Sequence, residues 1–470
     1  MPLTRRHLLG GVAAGGLAAA GIYELVDWFT QAPERASAGA LPPEQHLLDG
    51  VRLIRDNRVE VLVPPLHHKV VTAKLLVGEG AADLRDARVA LESALRRLEE
   101  RFEPTPAGLV ITVAWGLPYF RRYVPGQAAT HLPIDLRATR ARGRPVRVLE
   151  DAIRFPSDPD STILEQNDVA VLLRSDSLAH IADGSKALFD DLGAVFQVTS
   201  IRRGFAGGGF DGGTSLPKQM ATAAGIPGAD LIPDTAELFL GFTSTQQAAL
   251  GPPRIANLET LGYADLRASG YFAQGTHMHL SHLFEDIAAW YQTFDFKARV
   301  DTTFRPGLAV KPGTQTVPQG PENAQTAAQV ERDYARHRQI GHSGSLQTAS
   351  RLGHDVVGSD GIRYPKGTAI PQRADFNTLD NPFFWTAEPE RDGFADAPAA
   401  GLHFVIFNPT SDDFRRTRLA MDGVLPDGTR LPFEPRSLGQ GFNQILATTH
   451  RQNFLVPPRR HRSFPLSELP

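Results

Sequence analysis

Three histidines crowd one short stretch, Thr276-His277-Met278-His279-Leu280-Ser281-His282, with Glu285 and Asp286 just beyond it. On a strand, successive side chains alternate faces, so His277 and His279 share one face and Met278 takes the other. Two imidazoles on one face suit zinc or copper, with His282 as a further donor. A polar strand face packed under a loop is the competing reading. The glycine-rich run 204–213 lacks the lysine and the strong following helix that a phosphate cradle needs. No GxSxG elbow, HExxH pair or Gly-Lys-Ser/Thr phosphate loop occurs. The chain contains no cysteine, which excludes disulfides, thiolate catalysis, Cys-ligated zinc and iron–sulfur clusters. A formal net charge of −3 gives no broad attraction for nucleic acid, and no such partner is expected. Arg459, Arg460, His461 and Arg462 read as a short solvated basic end.

These residues need elements to position them. Residues 68–77 have the β-branched, apolar character of a strand, and 88–102 then place Leu91, Leu95, Leu98 and Phe102 at helical spacing. Strands follow at 108–116 and 168–174. Leu178, Ile181, Leu188 and Leu192 mark a second helix, closed by Gly193, before a strand over 194–201. Strand, helix, strand, strand, helix, strand is the split βαβ order of a ferredoxin-like unit. The second half repeats it more loosely: a strand at 275–283 feeding a helix through Tyr291, a strand at 401–407, and a helix capped by Ser411 and ending at Gly423. The polar stretch 305–333 is expected to be a surface loop, and 380–400 an irregular connection. The fold expected is α+β, two ferredoxin-like halves with antiparallel sheets, a duplicated split βαβ of the dimeric α/β-barrel type.

Thr4-Arg5-Arg6-His7 precedes an uncharged run of small and apolar residues over 8–22, a charged region followed by a short apolar one. The run is too short and too weakly apolar for a spanning helix. Residues 1–40 are therefore read as a twin-arginine export signal, with cleavage expected near 38–41 after small residues such as Ala36 and Ala38. The remaining divisions are an N-terminal half over 41–245 and a C-terminal half over 246–470. No membrane span is expected after cleavage, and the mature protein is expected in the periplasm or outside the cell. Export in the folded state raises the prior for a cofactor loaded in the cytoplasm.

The order of landmarks resembles the dye-decolorising peroxidases. Residues 108–120, 167–181, Arg202-Arg203-Gly204-Phe205, 275–291 and 400–414 each look like one segment of that family, in the family's order. The resemblance implies two ferredoxin-like halves, haem b in the second, and peroxide with a small-molecule reductant as partners; an oligomer is also compatible with it. It implies His342, in Gly341-His342-Ser343, as the iron ligand, followed by Arg351, with His337 as the alternative ligand. It implies Arg373 as the peroxide-side guanidinium, the alternative being a structural ion pair, and it places Phe404 and Phe407 along the pocket. The family's GxxDG acid has two candidate positions. Gly208-Gly209-Phe210-Asp211-Gly212 fits the string and offers Asp211; Leu240-Gly241-Phe242-Thr243-Ser244 fits the spacing better and offers Ser244, not an acid.

Three functions follow as expectations. The first is an exported haem-dependent peroxidase. The second is a haem-binding or haem-handling protein without catalysis, favoured if Ser244 replaces the acid. The third is a haem-free relative that binds a metal through His277, His279 and His282, or binds a partner.

Overall fold

Leu84, Leu91, Leu95 and Leu98 form the buried stripe of a long helix, α1 (Ala81–Arg101), and the strands it covers supply the matching apolar face. The computed structural model describes residues 21–30, 41–207, 213–243, 255, 257–267, 270–318, 325–381, 397–433 and 439–470. In the first half the strands are β1 (His67–Leu75), β2 (Val110–Gly116), β3 (Val169–Ser175) and β4 (Phe196–Phe205), with α2 (Leu178–Ser185) between the last two. They lie side by side in the order β4-β1-β3-β2, all antiparallel.

The second half has the same plan. Its strands β5 (Thr276–Glu285), β6 (Phe376–Thr378), β7 (Gly401–Asn408) and β8 (Leu446–Val456) run in the order β8-β5-β7-β6. Identical strand order in both halves is the duplicated ferredoxin-like arrangement expected from the sequence. The halves join at two seams. Phe205 on β4 opposes Asn377 on β6, and Gly116 and Trp115 on β2 oppose Phe454 and Leu455 on β8. Together these pairings close eight strands into a ring. Its interior is filled from both halves by Val70, Leu172, Met278, Leu280, Val405, Phe407 and Phe454. The boundary drawn near 245 lies outside the described residues.

Four helices complete the second half: α3 (Ile287–Thr293), α4 (Ala327–His337), α5 (His342–Ser350) and α6 (Ser411–Met421). The stretch expected to be a loop through 333 is thus helical from Ala327. Its start is fixed by a capping box, in which Thr326 accepts from the Gln329 N–H and Gln329 accepts from that of Thr326. For α6 the cap is Thr410 with Asp413, one residue earlier than expected. The basic end is not solvated either: Arg462 is 2% exposed and pairs with Glu92 and Glu99 on α1.

Most of the proposed export signal, including the twin arginines and the expected cleavage site, lies outside the described residues. Residues 21–30 are described. The turn Ile22–Glu24 and the helical turn Leu25–Phe29 bury Ile22, Tyr23, Leu25 and Val26 against Leu66, Phe205 and Leu379. The Tyr23 hydroxyl donates to Asp380 at 2.9 Å and accepts from the Leu379 N–H at 3.0 Å, and Asp27 meets His67 at 2.5 Å. Among the described residues no helix is long and apolar enough to cross a membrane.

Candidate functional site

Strand alternation builds the main cavity. Met278 and Leu280 on β5 point into the barrel, so Ser281, Leu283 and Glu285 point outward, toward the helices. On β7, Leu402, Phe404 and Ile406 do the same. Helices α5 and α6 and the Phe442 ring roof the space, which has an empty volume of about 1540 Å³ counting solvent at its mouth. One further wall is the segment carrying Leu238, Leu240, Phe242 and Thr243. It is pinned from α3, where Trp290 donates to the Leu240 carbonyl at 2.9 Å and Tyr291 to the Phe239 carbonyl at 2.7 Å. Gly241 has φ +84, and a Cβ there would meet the Tyr291 hydroxyl at 2.7 Å, so this turn requires glycine.

His342 is the first residue of α5 and lines the cavity. Its ring stacks on Phe442 with centroids 4.3 Å apart. Nδ1 is buried without a hydrogen-bond partner, which leaves Nε2 as the nitrogen available to a ligand. Burial, then the charges of Arg373 and Arg418, lowers its pKa to about 3, so the imidazole is neutral at ordinary pH.

Arg373 also lines the cavity, on the short strand Gln372–Arg373 that pairs with β7. Its Nε donates to Asp375 Oδ1 at 2.9 Å and its Nη2 to Oδ2. Both expectations for this residue hold at once: the guanidinium faces the cavity and is ion-paired. Beside the pair sits Glu285, 5% exposed, with Oε2 unpartnered. Burial, reinforced by the charge of Asp375, pushes its carboxyl up to about 8. Glu285 therefore carries its proton at neutral pH and can give it up in the cavity. On the far wall, Asp158 accepts from Arg451 at 2.6 Å and from Arg418 at 3.4 Å.

Of the residues singled out from the sequence, His342, Arg373 and Phe404 meet in this cavity. Phe407 does not. It lies three positions from Phe404, an odd step that turns it into the barrel interior. Arg351 is also absent from the lining; it donates instead to the Gly367 carbonyl at 2.7 Å. His337 is exposed near the end of α4. Asp211 and Ser244 lie outside the described residues, although Thr243, next to Ser244, lines the cavity.

The histidine strand does not gather a metal site. His277 and His279 share a face as expected, but both ring nitrogens of His279 are engaged, Nδ1 by Asn453 at 2.7 Å and Nε2 by Ser281 at 2.8 Å. His282 turns to the opposite face, where Nδ1 meets Thr449 at 2.9 Å. Among the described residues no group of three or more His, Asp or Glu side chains is arranged to hold a metal ion. Sequence reading missed Glu285 as a cavity acid, along with Asp375, Asp158, Arg418 and Arg451. Only Glu285 had a local signal, its place at the end of a strand whose outward face carries Ser281 and Leu283.

No curated protein matches this chain. Solved structures similar to it include a putative dye-decolorising-type peroxidase from Shewanella oneidensis, at 12% identity and TM-score 0.49 over 85% of this chain and 94% of that one. A dye-decolorising protein from V. cholerae is similar at 13% identity and TM-score 0.47, over 86% and 97% of the two chains. A DypB variant from Rhodococcus jostii RHA1 in complex with heme is similar at 13% and 0.48, over 86% and 96%. A family model described as "Family of unknown function (DUF7405)" matches residues 65–458, and with that span the chain belongs to this family.

Proposed function

We propose that this chain is an exported, haem-binding, peroxidase-like protein acting on a peroxide and a small-molecule reductant. The observation that carries the reading is the meeting of His342, Arg373 and Glu285 in one largely apolar cavity between β5, β7 and helices α5 and α6. The residues fit haem b. Neutral His342 has Nε2 free to bind iron, the Phe442 ring steadies the imidazole, and apolar side chains such as Leu283, Phe404 and Ile406 offer a flat hydrophobic wall. Bound haem would supply a redox-active iron able to pass electrons to a peroxide.

The chain's own groups do the rest. Glu285 holds a proton on its carboxyl at neutral pH, ready for transfer to a leaving oxygen and for recovery afterwards. Asp375 fixes Arg373 through two parallel hydrogen bonds, so the guanidinium is preorganised to stabilise negative charge as it develops. The apolar walls exclude water and strengthen both effects.

One observation favours a second reading, a haem-handling protein. An iron-binding imidazole is normally held through its other nitrogen, and loss of that hold typically costs 10–100-fold in affinity. Nδ1 of His342 has no such partner. Absorbance spectra of protein expressed with haem supply separate the cases. A Soret band that changes on adding hydrogen peroxide supports the peroxidase, and a band that does not change supports haem handling. Absence of the band overturns both.

A further inference from the structure

Ser281 faces the main cavity, and behind it runs an ordered hydrogen-bond chain. Its hydroxyl lies 2.8 Å from His279 Nε2, and His279 Nδ1 lies 2.7 Å from Asn453 Oδ1. The Asn453 amide nitrogen donates to the Glu150 carbonyl at 2.9 Å, which fixes the amide so that Oδ1 accepts from His279 Nδ1–H. Nε2 is then the acceptor and Ser281 the donor. The strands enforce this: Ser281 opposes Arg451 and His279 opposes Asn453 across the β5–β8 pair. Phe414 stacks on the His279 ring at 3.5 Å between centroids and holds it in plane.

We propose that Ser281, His279 and Asn453 form a nucleophile, base and orienting group, and that the cavity accepts esters of hydrophobic acyl groups. A nucleophile within reach of a base that a third group orients is the general signature of acyl transfer. The apolar lining suits the acyl chain. Arg451 supplies the charge stabilisation: it is 1% exposed and its Nε and Nη1 are buried without partners. Ser281 Oγ attacks the ester carbonyl carbon while its proton passes to His279 Nε2. The carbonyl electron pair moves onto oxygen, where the Arg451 N–H groups stabilise it. Collapse breaks the bond to the alcohol, which leaves with the Nε2 proton. Water, deprotonated by the same nitrogen, then releases the carboxylic acid and restores the serine.

This activity does not rest on the haem reading, because haem and ester would compete for one cavity. The test is covalent labelling of the full chain, freed of haem, with an alkyl fluorophosphonate, located by peptide mass spectrometry. One adduct on Ser281 is expected, with no adduct there in Ser281→Ala. Labelling of His279→Gln should be slower by about 10²- to 10⁴-fold. Because His279 titrates well below the usual histidine range, through burial and the charge of Arg451, the labelling rate should show no histidine-type fall between pH 7 and pH 5.5. An unlabelled wild-type chain overturns the proposal. So does an adduct on another residue, or His279→Gln labelled at the wild-type rate. Added haem that slows labelling reports on the cavity alone and leaves the Soret test of the haem reading independent.

Discussion

Replacing Glu285 by glutamine removes a buried carboxyl whose proton is held unusually tightly, and the consequence for stability has a definite sign. An ordinary glutamate titrates near 4.5, whereas burial and Asp375 push Glu285 up to about 8. Below about pH 4.5 the side chain is protonated in both folded and unfolded chains and has no effect. Between these values the folded state binds a proton that the unfolded state has lost, so stability falls as pH rises. Each pH unit costs about 1.4 kcal/mol, on the order of 5 kcal/mol across the whole interval as an upper limit. Above about pH 8 the loss is complete. Glutamine has the same shape and no titration, so Glu285→Gln should remove this slope. Urea unfolding at pH 5, 7 and 8.5 measures it. The variant should match the wild type to within about 1 kcal/mol at pH 5 and exceed it by several kcal/mol at pH 8.5. Parallel pH dependences in the two proteins would refute the burial argument, and with it the proton that Glu285 is proposed to bring to the cavity.

Other outcomes follow from the same site. His342→Ala should abolish any Soret band, and full haem retention in that variant, read by absorbance, rules out His342 as ligand. Because His342 titrates at about 3, haem taken up at pH 7 should remain bound at pH 5, where an ordinary histidine would be mostly protonated; release with a midpoint near pH 6.5, followed at the Soret maximum, contradicts the buried imidazole. Tyr23→Phe removes the hydrogen bond to Asp380 and should lower stability by about 1.5–3 kcal/mol, the range for a bond to a charged group. Chemical denaturation checks this, and an unchanged midpoint would mean that docking of the N-terminal segment adds nothing to stability.

Legibility followed the physical signal. The first half was readable because α1 and strands β1 to β4 are one-faced or wholly apolar, and Leu91, Leu95 and Leu98 announce their period. Strand β8 was not, because Thr449, His450, Arg451, Gln452 and Asn453 occupy its centre and all are buried. Such a strand has neither alternation nor hydrophobicity, and only its partners on β5 and β2 reveal it. Helix α4 did carry a readable start, Thr326 followed three residues later by Gln329. At the site, His342 and Arg373 came from an order of landmarks that local pattern alone would not supply. Phe407 failed on parity, since residues three apart on a strand cannot share a face. The role of Glu285 depends on burial and on Asp375, ninety positions away, and no window of sequence contains both.

The Tyr23 contact has a consequence in time. The residues it bonds, Thr378 and Asp380, lie 355 and 357 positions later in the chain. At roughly 5–20 residues per second of synthesis, about 20–70 s separate the emergence of Tyr23 from that of its partners. Throughout that interval the segment has no docking site to occupy. It can be read by other factors while the chain is being made, and it becomes sequestered once β6 takes its place beside β4. The contact therefore acts as a clock, reporting on the protein's own beginning whether the second half has been completed.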